Sequence, residues 1–97
     1  MSTVEPMAYL PIEKEEIANL HFPKTEVLED KDEMKLRKAA IDRALILGNV
    51  EHGKIKISFA DDTTKHVVET TIWGVTEERI ILKKGIAIPI NRIYEVQ

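Results

Sequence analysis

The chain has 97 residues, enough for one compact domain and too few for two. Its composition, 43% apolar and 32% charged, is that of a soluble globular protein, and five aromatics argue against a surface built mainly of rings. The absence of cysteine excludes disulfides, thiolate metal ligands and thiol nucleophiles, and the net charge of −3 divides unevenly, with two Lys against seven acidic residues in 1–30 and twelve Lys or Arg against ten in 31–97.

Residues 1–29 read as an acidic N-terminal arm, partly disordered or carrying one short helix. That helix would begin near Pro11 in "PIEKEEIANL", with Ile12, Ile17 and Leu20 on one side. Nine or ten residues are fewer than the roughly 12–15 that sustain a helix in water, so it must dock or fray. The N-terminus is acidic and polar where a signal peptide would be basic and then apolar, and no stretch approaches the roughly 18 apolar residues of a membrane span. A cytoplasmic location without membrane contact is the expectation.

The domain proper is expected over 31–97. "DKDEMKLRKAAIDRALILGN" predicts an amphipathic helix over about Lys31 to Leu47, with Asp30 as cap, Glu33 reaching back as in a capping box and Gly48 as a left-handed stop. Leu36, Ala40, Ile41, Ala44, Leu45 and Leu47 would face the core, and Lys35, Arg37, Lys38, Asp42 and Arg43 the solvent.

Past Gly48 the apolar period falls from 3.6 to 2. "KIKISF" alternates Ile55, Ile57 and Phe59 against Lys54, Lys56 and Ser58, a half-buried strand. "ADDTT" turns into a long strand through "KHVVETTIWGV", bent or bulged at Gly74. "TEE" turns again, "RIILK" makes a third strand, and "KKG" is a tight loop in which Gly85 takes positive φ. In "IAIPI" the three isoleucines point inward and Pro89, lacking an amide hydrogen, requires an edge or a ladder-free position. "NR" makes a corner and "IYEV" ends the chain. The fold class expected is α+β: an N-terminal amphipathic helix, then a five-stranded, strongly bent antiparallel sheet curling into a small barrel so that few edges stay open.

This order of elements, ending in "LKKGIAIPINRIYEV", resembles the small Sm-like and SH3-like barrels, including the Rho-inhibiting Rof type, whose last strands also run as an Ile-Pro-aliphatic corner followed by Ile. The likeness covers about residues 31–97. Its RNA-binding members imply nucleic-acid contact. The first Sm motif would place Asp and Asn where this chain has "VTEER", so that contact is carried over only onto the Lys84-Gly85 step of the second motif. The chain is also similar to an uncharacterised family of bacterial proteins, a likeness that implies no activity.

Candidate chemistry is sparse. His21, His52 and His66 match no metal-ligand spacing, although His52 and His66 flank the first hairpin near Asp61 and Asp62. Ser2 and Ser58 sit in no nucleophile elbow, and Glu77-Glu78, with Glu69, read as solvated carboxylates. No catalytic residue, metal or cofactor is expected. Lys54, Lys56 and Lys65 on the outer strand face, joined by Arg79, Lys83, Lys84 and Arg92, form a candidate cationic stripe for phosphates. Trp73 is the one aromatic able to stack a base, and Trp73 and Tyr94 are candidates for an interaction surface. The expected function is a non-enzymatic interaction module that binds another protein or itself. The alternative is an RNA- or DNA-binding regulator using the basic face and the Lys83–Gly85 loop.

Overall fold

A computed structural model describes residues 9–97; the first eight residues of the acidic arm lie outside the described residues. Strand β1 (Tyr9–Pro11) and the single-turn helix α1 (Lys14–Ile17) precede the long helix α2 (Lys31–Glu51). Six strands follow: β2 (Ile55–Ala60), β3 (Lys65–Thr70), β4 (Ile72–Val75), β5 (Arg79–Leu82), β6 (Ala87–Pro89) and β7 (Ile93–Val96). A 3-10 turn over Lys83–Gly85 separates β5 from β6, and another over Ile90–Arg92 separates β6 from β7.

The strands form two sheets, β1-β3-β2-β7 and β4-β5-β6. This corrects the expected five-stranded barrel: among the described residues there are seven strands, β1 pairs parallel to β3, and no barrel closes. The physical reason lies at two joints. The predicted long strand breaks at Thr71, after which β4 pairs with β5 instead of continuing the β3 ladder. At the other end Pro89 finishes β6 on the edge of its sheet, as a residue without an amide hydrogen must, and the turn after it delivers β7 to β2 in the first sheet.

One core joins both sheets and both helices. Ile55, Ile57 and Phe59 of β2 meet Val68, Ile72, Ile80, Leu82, Ile88, Ile93 and Val96, with Ile41 and Ala44 from α2 and Ile17 from α1. The short helix therefore docks, which is what makes a single turn stable. Of the three isoleucines expected inward around β6, Ile88 is fully buried, and Ile86 and Ile90 pack against the core while half-buried.

Helix α2 departs from expectation in length and at two positions of its first turns. Gly48 is helical, and the left-handed residue is His52 at φ 56°, whose amide donates to the Gly48 carbonyl at 3.1 Å. Gly48 has another role: a Cβ there would stand 2.5 Å from the carbonyl oxygen of Ile72, so its bare face lets the helix lie against the backbone at the start of β4. At the other end the Asp32 amide donates to Asp30 Oδ1 at 2.8 Å, and no bond from Glu33 completes a capping box among the described residues. The buried residues are Arg37, Ile41, Ala44 and Gly48, and Ala40, Leu45 and Leu47 pack against the core half-buried; of the predicted faces only Leu36, which points outward, and Arg37, which points inward, are exchanged.

Gly48→Ala tests that close approach. In an open helix the change would stabilise by about 1 kcal/mol; here overpacking against backbone should destabilise by about 1–3 kcal/mol in urea unfolding. A neutral or stabilised variant would show that the helix does not rest on Ile72.

Candidate interaction surfaces

Two guanidinium groups are buried, and both bind this chain itself. Arg92 ends the corner between β6 and β7. Its Nε donates to the carbonyl of Ala60 (3.2 Å), Nη2 to that of Asp61 (2.9 Å), and Nη1 to both the carbonyl and the hydroxyl of Thr25 (2.9 and 3.0 Å). Arg37 faces Glu26 as a fork, Nη1 to Oε2 at 2.7 Å and Nη2 to Oε1 at 2.8 Å, and Nη1 also donates to the carbonyl of Ile93 at 3.0 Å. Asn91 completes the grip: its Nδ2 donates to the carbonyl of Lys24 at 2.6 Å and its own carbonyl accepts the Val27 amide at 2.9 Å. In the irregular stretch 24–28 the carbonyls of Lys24 and Thr25 and the amide of Leu28 are thus answered by side chains and the amide of Val27 by the backbone of Asn91, as a packed loop requires. Hydrogen bonds to charged groups each contribute about 1.5–3 kcal/mol.

Arg92 is therefore removed from the predicted cationic stripe, because a buried guanidinium with four internal acceptors cannot meet a phosphate. Other members of that stripe scatter. The ammonium of Lys65 lies 5.1 Å from the ring centre of Tyr94 and 5.8 Å from that of Tyr9, two rings that meet edge to face at 5.9 Å. That of Lys84 lies 3.8 Å from Glu15. Lys56 is exposed opposite Glu69 in the β2–β3 register. Arg79 is exposed beside a cleft that also holds Glu77 and Glu78. Lys54 and Lys83 line one cavity, with Trp73.

The Asp61–His66 approach anticipated near the first hairpin is present, without His52. Asp61 Oδ1 accepts the amides of Thr63 (2.8 Å) and Thr64 (2.6 Å), and His66 Nε2 lies 3.2 Å from Oδ2. Burial alone would raise the Asp61 carboxyl; the two amides and the imidazole outweigh it and hold the group below its ordinary value. The Nδ1 atom of His66 is buried with no partner, so the ring presents neither nitrogen to an incoming substrate, and the pair fastens the hairpin turn. No group of three or more His, Asp or Glu among the described residues is arranged to hold a metal ion.

Three of the five large hydrophobics exposed among the described residues lie on α2. Leu36, Ile46 and Val50 are 70%, 63% and 71% exposed, far more than isolated core-type residues on a helix need be. Leu36 also borders a cleft of about 450 Å³ between α2 and β7, with Leu28, Ala40, Tyr94 and Val96 on its walls. Tyr94 and Trp73, paired in the sequence reading, thus open onto different surfaces. Sequence reasoning missed this outward stripe because it assigned Leu36 to the core. Ile41 and Ala44 are buried as expected; the signal for Arg37 rather than Leu36 beside them was an arginine able to pair with an acidic residue in the arm.

Among the described residues no helix is long and apolar enough to cross a membrane. Compared with protein-family models, curated proteins and solved structures, the chain matches none.

The carboxylates give a pH dependence. Glu26 is held below its ordinary value of 4.5, chiefly by the Arg37 fork and against burial. A carboxyl whose folded pKa is depressed adds stability that is present above its unfolded pKa and lost as pH falls through the folded one. The melting temperature should therefore drop as pH is lowered below about 4.5, and Glu26→Gln should flatten that acid limb while lowering stability at neutral pH. An acid limb unchanged in the variant would remove Glu26 from the account.

Proposed function

We propose that this chain is a non-enzymatic interaction module of the cytoplasm that self-associates through the outward face of α2. The observation that supports it is the spacing of that face. Leu36, Ala39, Arg43, Ile46 and Val50 recur at alternating steps of three and four residues, the seam of a helix pair, on the side of α2 away from Ile41, Ala44 and Gly48. One helix therefore carries two such stripes, and among the described residues only the inner one packs against the rest of the chain.

A second copy fits this seam when the helices run antiparallel. In that arrangement Leu36 lies opposite the second copy's Ile46, and Arg43 lies over the second copy's Ala39, whose small side chain leaves room for the arginine stem. The guanidinium then reaches the second copy's Asp42, a contact that occurs twice by symmetry. Opposed helix dipoles favour the same sense. A lone charged residue in an apolar seam fixes register at some cost in stability, which suits a reversible contact. An RNA- or DNA-binding regulator has less support, because of the seven cations expected to serve it only Lys54 and Lys83 border a common cavity.

Light scattering after size exclusion tests the proposal. The wild type should elute with twice the 11.1 kDa chain mass at concentrations of about 100 μM, in the affinity range of transient interfaces. Leu36→Glu with Ile46→Glu should give a monomer with an unchanged far-UV spectrum, since neither residue belongs to the core. A wild type that stays monomeric, or a variant that still dimerises, contradicts it.

A further inference from the structure

Trp73 is the chain's only tryptophan, and it is 55% exposed. Its position has a specific cause. In the β4–β5 pairing Ile72 faces Leu82 and Gly74 faces Ile81, so β4 advances two residues where β5 advances one, and Trp73 is the extra residue of a bulge. Bulges re-aim a side chain, and this one turns the largest apolar side chain of the protein into solvent while Ile72 before it stays fully buried.

The indole borders a cavity of about 430 Å³ whose other walls include Lys14, Lys54, Lys83, His52 and Glu69. The ammonium of Lys14 lies 3.3 Å from Glu15, whereas Lys54 and Lys83 form no ion pair among the described residues. They approach from different elements, Lys54 just before β2 and Lys83 from the turn after β5, so the fold brings two free cations to one exposed aromatic ring. Glu69 and the carbonyl end of α2 also border the cavity and limit how much negative charge it accepts.

We propose that this cavity binds the base–phosphate unit of a nucleotide, with the base stacked on Trp73 and one phosphate held between Lys54 and Lys83. A flat apolar ring beside paired cations matches a ligand that joins an aromatic face to an anion, and stacking on an aromatic side chain is available to every base. The unit can come from a free mononucleotide or from a single strand, and the site is separate from the seam on α2.

Intrinsic fluorescence tests this directly, because its only indole is at the site. Uridine monophosphate, an eight-residue oligouridylate, uridine and a polyglutamate peptide are titrated into the full chain at low salt. Quenching by the monophosphate and the oligomer at similar affinity identifies a free nucleotide as the ligand, and quenching by the oligomer alone identifies a strand. In either case the single phosphate contact must weaken with salt; for the strand a fourfold rise in salt should cost about two- to threefold in affinity. Lys54→Ala with Lys83→Ala, both exposed and outside the core, should weaken binding by about tenfold or more. In a separate anisotropy assay with labelled oligomer, Trp73→Ala should weaken binding comparably. No quenching at low salt, equal quenching by uridine, equal binding of polyglutamate, or affinity indifferent to the lysine pair would each overturn the proposal.

Discussion

Arg92 stands where the chain leaves one sheet for the other, and its guanidinium answers carbonyls from two distant places at once: the end of β2 and the stretch that leads into α2. A strand cannot change sheets without leaving backbone groups unpaired at the corner, and buried carbonyls without donors are expensive. The planar fork of one arginine supplies those donors in a fixed geometry that a lysine could not reproduce. With Asn91 and the Arg37–Glu26 fork it converts the segment 24–28 from a loose connection into the band that sets α2 against β7 and β4. The outward face of α2 and the cavity beside Trp73 are both consequences of where that helix comes to rest.

The same constraint explains why the apolar pattern was read well in some places and poorly in others. Ile55, Ile57 and Phe59 alternate strictly, and period-two burial follows from the pleat alone, so β2 was legible. Pro89 was legible as an edge residue for an equally local reason. Gly48 was read as a helix stop because glycine usually is one there; its true partner is the Ile72 carbonyl, 24 positions along the chain, which no local rule sees. On α2 the inward placement of Ile41 and Ala44 was legible, and only the exchange of Leu36 with Arg37 was not, for a related cause. Hydrophobicity favours Leu36 over Arg37 inside, and only the carboxylate of Glu26 together with the carbonyl of Ile93 makes the buried arginine the better choice.

The barrel expectation failed on topology rather than on composition. The residues after α2 do make strands where alternation and turn residues placed them, but the choice of ladder partner depends on the Thr71 break, on the bulge at Trp73 and on β1, which lies in a segment with almost no strand pattern and pairs parallel to β3. Of the candidate cations, Lys54 and Lys83 are exposed and border one cavity, while Arg92, which looks the same by charge type, is interior. Charge type and strand parity describe a face; they do not say which groups of the same chain already occupy it.

Native-state hydrogen exchange on an Arg92→Lys variant tests the central claim most directly. If the guanidinium holds the band in place, the Val27 amide, which donates to Asn91, should exchange at least about tenfold faster in the variant, a loss of about 1.4 kcal/mol of local protection, while the Ile57 and Val68 amides of the β2–β3 ladder change far less. Equal protection of Val27 in both proteins, or uniform acceleration throughout the fold, would contradict an account in which Arg92 clamps this corner.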